Sequence, residues 1–93
     1  MENAETLFRF PTPFPIKAMG RMKSAESDDG FAQTVLGVVM KHAADFDAST
    51  LEIRPSKNGN FISVTATINA QSKAQIDAIY QELTGNPLVL MAL

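Results

Sequence analysis

Residues Phe61–Ala70 alternate between two sets of side chains over the whole stretch. Ile62, Val64, Ala66, Ile68 and Ala70 fall on one side; Phe61, Ser63, Thr65, Thr67 and Asn69 fall on the other. A period of two is the period of a β-strand with one buried face. The β-branched content suits a central position in a sheet. Such a strand needs a second layer over its apolar face, and the rest of the chain must supply it. Lys57-Asn58-Gly59-Asn60 stands immediately before the strand. Asn-Gly is the preferred central pair of a type I′ turn, where both residues need positive φ. The spacing therefore predicts a hairpin with a short strand over residues 51–56. Leu51 and Ile53 point one way there; Thr50, Glu52 and Arg54 point the other.

The covering layer is legible as two helices. Over residues 29–44, Phe31, Val35, Val38, Val39, His42 and Phe46 fall on one broad stripe at helical spacing. Leu36 and Ala43 widen its edge, and Gln33, Gly37 and Lys41 lie opposite. That asymmetry belongs to a helix lying on a sheet. The polar residues 23–30 read as a loop, with Ser27 or Asp28 capping the helix. Over residues 72–83 the stripe is Ile76, Ile79, Tyr80 and Leu83. Ser72 and Gln75 have the spacing of a capping box. Gly85 fits the C′ position, and Pro87 stops the helix.

Two more strands complete the order. In residues 14–22, Phe14, Ile16, Ala18 and Gly20 share one face; Pro15, Lys17, Met19 and Arg21 share the other. Residues 88–93 are apolar on both faces. The sequence β–α–β–β–α–β, with right-handed crossovers, predicts an α+β ferredoxin-like sandwich. In it, two helices cover one face of a four-stranded antiparallel sheet. The chain has 93 residues, enough for one domain. We assign residues 14–93 to it. Residues 1–13 read as an extended, partly disordered arm, in which Phe8 and Phe10 stand among Arg9, Pro11 and Pro13.

Composition removes several function classes. The formal net charge is −2. Nucleic-acid binding needs a cationic footprint, and of the strand over 61–70 only Phe61 could stack a base on the open face. There is no cysteine and a single histidine, so neither a thiolate nucleophile nor a multi-His metal site is available. His42 reads as a partly buried residue at a helix C-terminus. It has no nucleophile and orienting partner placed for it. No catalysis, cofactor or metal is expected. The N-terminus lacks the pattern of a secretory signal, and no apolar run approaches the ~20 residues of a membrane span. The expected location is the cytoplasm.

The chain also resembles the bacterial YbeD family. The resemblance rests on Phe10-Pro11-Thr12-Pro13-Phe14, Lys17, Met19-Gly20, Val38-Val39, His42-Ala43 and Pro55-Ser56-Lys57. It continues through Gly59-Asn60, Ser63-Val64, Thr67-Ile68-Asn69-Ala70, Tyr80, Glu82-Leu83 and Met91. The turn Lys57-Asn58-Gly59-Asn60 departs from the family's usual one. The resemblance implies the same ferredoxin-like fold, similar to ACT regulatory domains that bind amino acids. It implies a poorly characterised function with a link to lipoate metabolism.

The expectation is a small regulatory or interaction domain that binds a protein partner, a second copy or a small metabolite. A metabolite would sit at Gly20, Asp28, Asp29 and Gly30, where the ACT likeness places an amino-acid pocket. The alternative reading is a stand-alone sensor of amino acids or lipoate-related acids at that loop. A partner would use the open face through Lys17, Met19, Arg21 and Arg54. The last strand, through Val89 and Met91, is an apolar edge that invites pairing, either with a partner or with the chain's own arm over Phe8–Phe14.

Overall fold

The structure is a computed structural model that describes residues 9–21 and 28–93. The first eight residues of the arm, the expected cap at Ser27, and the side chains of Asp28 and Asp29 lie outside the described set. The elements are β1 (Thr12–Arg21), α1 (Asp28–His42), β2 (Glu52–Pro55), β3 (Phe61–Ala70), α2 (Lys73–Thr84) and β4 (Val89–Ala92). They form one four-stranded sheet in the order β2-β3-β1-β4, with every neighbouring pair antiparallel. This is the expected α+β ferredoxin-like arrangement.

The centre of the sheet is the β1–β3 ladder, unbroken from Thr12↔Ala70 to Arg21↔Phe61. Partners across a ladder share a face. Ile16, Ala18, Ile62, Val64, Ala66, Ile68 and Ala70 are all buried on one face. Phe31, Val35, Val38 and Val39 of α1 join them in one cluster with Ile76, Ile79 and Leu83 of α2. The alternation of β3 and the two helical stripes are therefore halves of one core.

β1 begins at Thr12, two residues before the expected start, so Pro13 joins Pro15 inside the strand. The reason is which way their nitrogens point. Lys17 exchanges both backbone hydrogen bonds with Leu93, 3.1 and 2.7 Å, so its polar groups face β4. Pro15 and Pro13, two and four residues earlier, turn their nitrogens the same way. The pairing with β4 goes no further along β1 than Lys17, so no ladder donor is missing there.

Other boundaries shift for local reasons. α1 ends at His42 rather than residue 44, and Ala43 and Phe46 leave the helix but remain buried. A 3₁₀ turn at Ala48–Thr50 follows, capped by Asp47, whose carboxylate accepts from the Ser49 N–H. The hairpin is not a type I′ turn. Gly59 has φ +78°, but no described non-glycine residue has positive φ. Side chains carry the loop instead: the Asn58 carbonyl oxygen accepts from Ser56 Oγ, and Ser56 Oγ accepts from the Phe61 N–H. Ser72 caps α2 as expected, accepting from the Gln75 N–H at 3.1 Å. Gly85 has φ −81° and so is not a left-handed cap.

Gly20 is the tightest point of the core. A Cβ placed there would stand 2.4 Å from Cε1 of Phe31. Phe31 is itself buried, so its ring has little room to retreat. Glycine is required because the α1 ring lies directly on the β1 backbone. Gly20→Ala should lower unfolding stability by about 1–3 kcal/mol, the usual cost of overpacking. Urea denaturation monitored by circular dichroism would measure it, and Phe31→Leu in the same chain should recover part of the loss.

Candidate binding surface

The helices leave the other face of the sheet uncovered. The register lays its side chains in two rows. One runs Glu52, Thr65, Lys17; the other runs Arg54, Ser63, Met19 and Met91. The Lys17–Leu93 hydrogen bonds extend the first row to Leu93. Strand spacing of roughly 4.8 Å puts the Glu52 and Lys17 backbones roughly 10 Å apart, with Thr65 between them. A concavity of ≈ 540 Å³ opens over this first row and is lined by Pro15, Lys17, Glu52, Arg54, Ser63, Thr65 and Leu93. A smaller one, ≈ 160 Å³, lies between Met19, Arg54 and Phe61. Arg21 closes that end, its guanidinium 5.9 Å from the centre of the Phe61 ring.

The two edges of the sheet differ. β2 carries Glu52 and Arg54 and ends in Pro55, the charge and proline that keep an edge from pairing. β4 reads Val-Leu-Met-Ala and has no charge. Its register with β1 slips at Met19/Gly20, so that Met91 pairs with Met19 and Val89 with Gly20. Leu90 is the extra residue of the bulge. This corrects the expectation for Val89, which turns inward and packs against the core. Leu90, Met91 and Leu93 are instead 51%, 51% and 59% exposed. The end of β4 is tied to the helix layer, because the Tyr80 hydroxyl donates to the Leu93 carbonyl oxygen. Burial pushes the Tyr80 hydroxyl pKa upward, which keeps it a donor. The sequence placed Tyr80 on the α2 stripe but held no local sign of this contact, which spans 13 residues.

The loop before α1 offers less. Gly20 is filled from the helix side by Phe31. Gly30 lies within α1, where its carbonyl accepts from Thr34 Oγ1 at 2.8 Å. Neither glycine lines either concavity. Asp28 and Asp29 begin α1, and their side chains are outside the described set.

His42 has a partner that the sequence did not suggest. Its Nε2 lies 2.8 Å from Glu82 Oε1, and Lys41 Nζ lies 3.3 Å from the same carboxylate. Gln75 also donates to the His42 carbonyl oxygen at 2.8 Å, closing the C-terminus of α1. These contacts clamp α1 to α2. A histidine–carboxylate pair orients an imidazole, yet no hydroxyl is hydrogen-bonded to it among the described residues. Among those residues there is also no group of three or more potential metal ligands. No described helix is long and apolar enough to cross a membrane.

The hydrogen bonds from His42 and Lys41 hold the Glu82 carboxyl below its ordinary pKa. A depressed folded-state pKa adds stability that is present above the unfolded value, about 4.3, and lost as pH falls through the folded one. Glu82→Gln should therefore flatten the loss of stability on acidification from neutral pH to below 4. Urea midpoints of the two proteins should lie closer at acid pH than at neutral pH.

Comparison with known proteins places the chain among relatives without an assigned activity. A family model described as "Protein of unknown function (DUF493)" matches residues 5–93. A UPF0250 protein of Nitrosomonas europaea is 47% identical over 96% of this chain and 97% of its own length. One from Paraburkholderia phytofirmans is 45% identical over 96% of this chain and 94% of its own. The solution structure of protein HP0495 from H. pylori superposes with a TM-score of 0.68, covering 92% of this chain and 85% of that one. At 17% identity that likeness concerns the fold alone.

Proposed function

The chain belongs to the DUF493 family, the uncharacterised YbeD-like UPF0250 proteins, and from that premise we propose a non-catalytic interaction domain whose β4 edge receives an extended segment of a partner protein. The observation that carries this reading is the contrast between the two edges. β2 is guarded by charge and proline; β4 is apolar and, among the described elements, pairs only with β1. An added strand would hydrogen-bond to the outward backbone groups of β4. Its side chains would cover Leu90 and Met91, which now meet water. The adjoining open face, with Lys17, Met19 and Arg54, would extend the contact. Four short-strand residues alone offer less area than the roughly 800 Å² per partner of a stable interface, so the open face must take part. Among the described residues no hydroxyl is hydrogen-bonded to the His42–Glu82 pair, and the chain has no cysteine, which supports a role without catalysis.

Affinity capture from native bacterial lysate, read by mass spectrometry, tests the proposal. Met91→Lys places a charge at the centre of the edge, and Gln33→Lys places one on the exposed side of α1. A partner of β4 should be retained by the parent and by Gln33→Lys, and fall at least about tenfold with Met91→Lys, as loss of a central contact predicts. Identical captures from all three proteins would refute the reading. Light scattering on the purified protein would show whether the partner is a second copy.

A further inference from the structure

The open-face concavity carries charges of both signs that have no ion-pair partner among the described residues. The ion pairs among the described residues join Lys41 and His42 to Glu82, and Lys73 to Asp77. Lys17, Glu52 and Arg54 belong to none of them, yet all three line one concavity of ≈ 540 Å³. That volume falls in the range of small-molecule sites, roughly 300–1,000 Å³. The arrangement is selective. A polyanion would meet Glu52, and a simple cation would meet Lys17 and Arg54. A ligand with separated charges of opposite sign satisfies all three.

The register sets the separation. Glu52 stands at one end of its row and Lys17 two strands away, with the Thr65 hydroxyl between. Their backbones are roughly 10 Å apart, too wide for both side chains to stand upright and meet, yet able to close on a ligand a few Å long. An α-amino acid has its charges on adjacent groups. A dipeptide has them at its two ends, with an amide between to bond a hydroxyl. Beside Lys17 the wall turns apolar, at Leu93 and Pro15.

We propose that this concavity binds a dipeptide-sized zwitterion, its ammonium at Glu52, its carboxylate at Lys17 and Arg54, and an apolar C-terminal side chain against Leu93 and Pro15. The site shares Lys17 and Arg54 with the face that would extend the β4 contact, but a peptide titration reads it without any partner protein, so either proposal can fail without the other. Because the site is open to water, its affinity is modest and selectivity is the property to measure.

Titration of the ¹⁵N-labelled protein with Gly-Leu, followed by amide chemical shifts, is the test. Saturable shifts are expected at Lys17, Glu52, Ser63 and Thr65. Acetyl-Gly-Leu, which lacks the ammonium, and Gly-Leu-amide, which lacks the carboxylate, should each bind roughly two- to fivefold more weakly, the range an exposed ion pair supports. Free leucine should also bind more weakly than Gly-Leu. In Glu52→Gln, Gly-Leu and acetyl-Gly-Leu should become equivalent; in Lys17→Gln, Gly-Leu and its amide should converge. The amide spectrum itself reports whether each variant is folded. Absence of saturable shifts on the open face would overturn the proposal. Equal binding of Gly-Leu and both blocked peptides to the parent protein would overturn it as well.

Discussion

The rest of the structure depends on the ten-residue antiparallel ladder between β1 and β3. It is long enough that alternate residues of β3, and Ile16, Ala18 and Gly20 of β1, are buried, and its register is single along its whole length. A one-residue slip would exchange the two faces, exposing Ile62, Val64 and Ile68 and burying Ser63, Thr65 and Thr67. That penalty locks the ladder. Once it is locked, the helices have one place to lie, and Phe31 reaches the gap that Gly20 leaves open.

The same ladder creates the open face as a by-product. Each residue committed to the core commits its neighbours to the other face. Charges and hydroxyls that would be spread along three strands in sequence come to stand in two short rows across the sheet. The face is not covered by any described element, and its two borders are chemically unlike. One border resists pairing through Glu52, Arg54 and Pro55; the other presents Leu90, Met91 and Leu93 to solvent. On the helix side, by contrast, Phe31, Val35 and Val39 of α1 and Ile76, Ile79 and Leu83 of α2 are buried against the sheet.

Some elements were legible in the sequence and some were not. The alternation of residues 61–70 and the helical stripes reported the fold, because burial acts through periods of two and 3.6 that need only neighbours in sequence. The Ser72–Gln75 cap was equally local. The hairpin turn misled, since Ser56 and Asn58 side chains satisfied the backbone and relieved Asn58 of the positive φ that the Asn-Gly rule demands. Val89 misled because a bulge changes which residues of β4 face inward, and bulges leave no period to read. The Glu82 partner of His42 lies 40 residues away and had no signal at all.

The sequence by itself determined the order of elements, the face that β1, β3 and the two helices bury, and the exclusion of thiol chemistry. These follow from side-chain type and spacing alone. Only the tertiary structure decided which charged residues share a concavity, which residues of the β4 edge face outward, and that Pro13 can stand in a strand. Each of those outcomes depends on strand order and register, which bring residues from β1, β2 and β4 to within a few strand spacings of one another across β3. The alternation that first identified β3 thus settled its two faces, while its neighbours settled what the open face can hold.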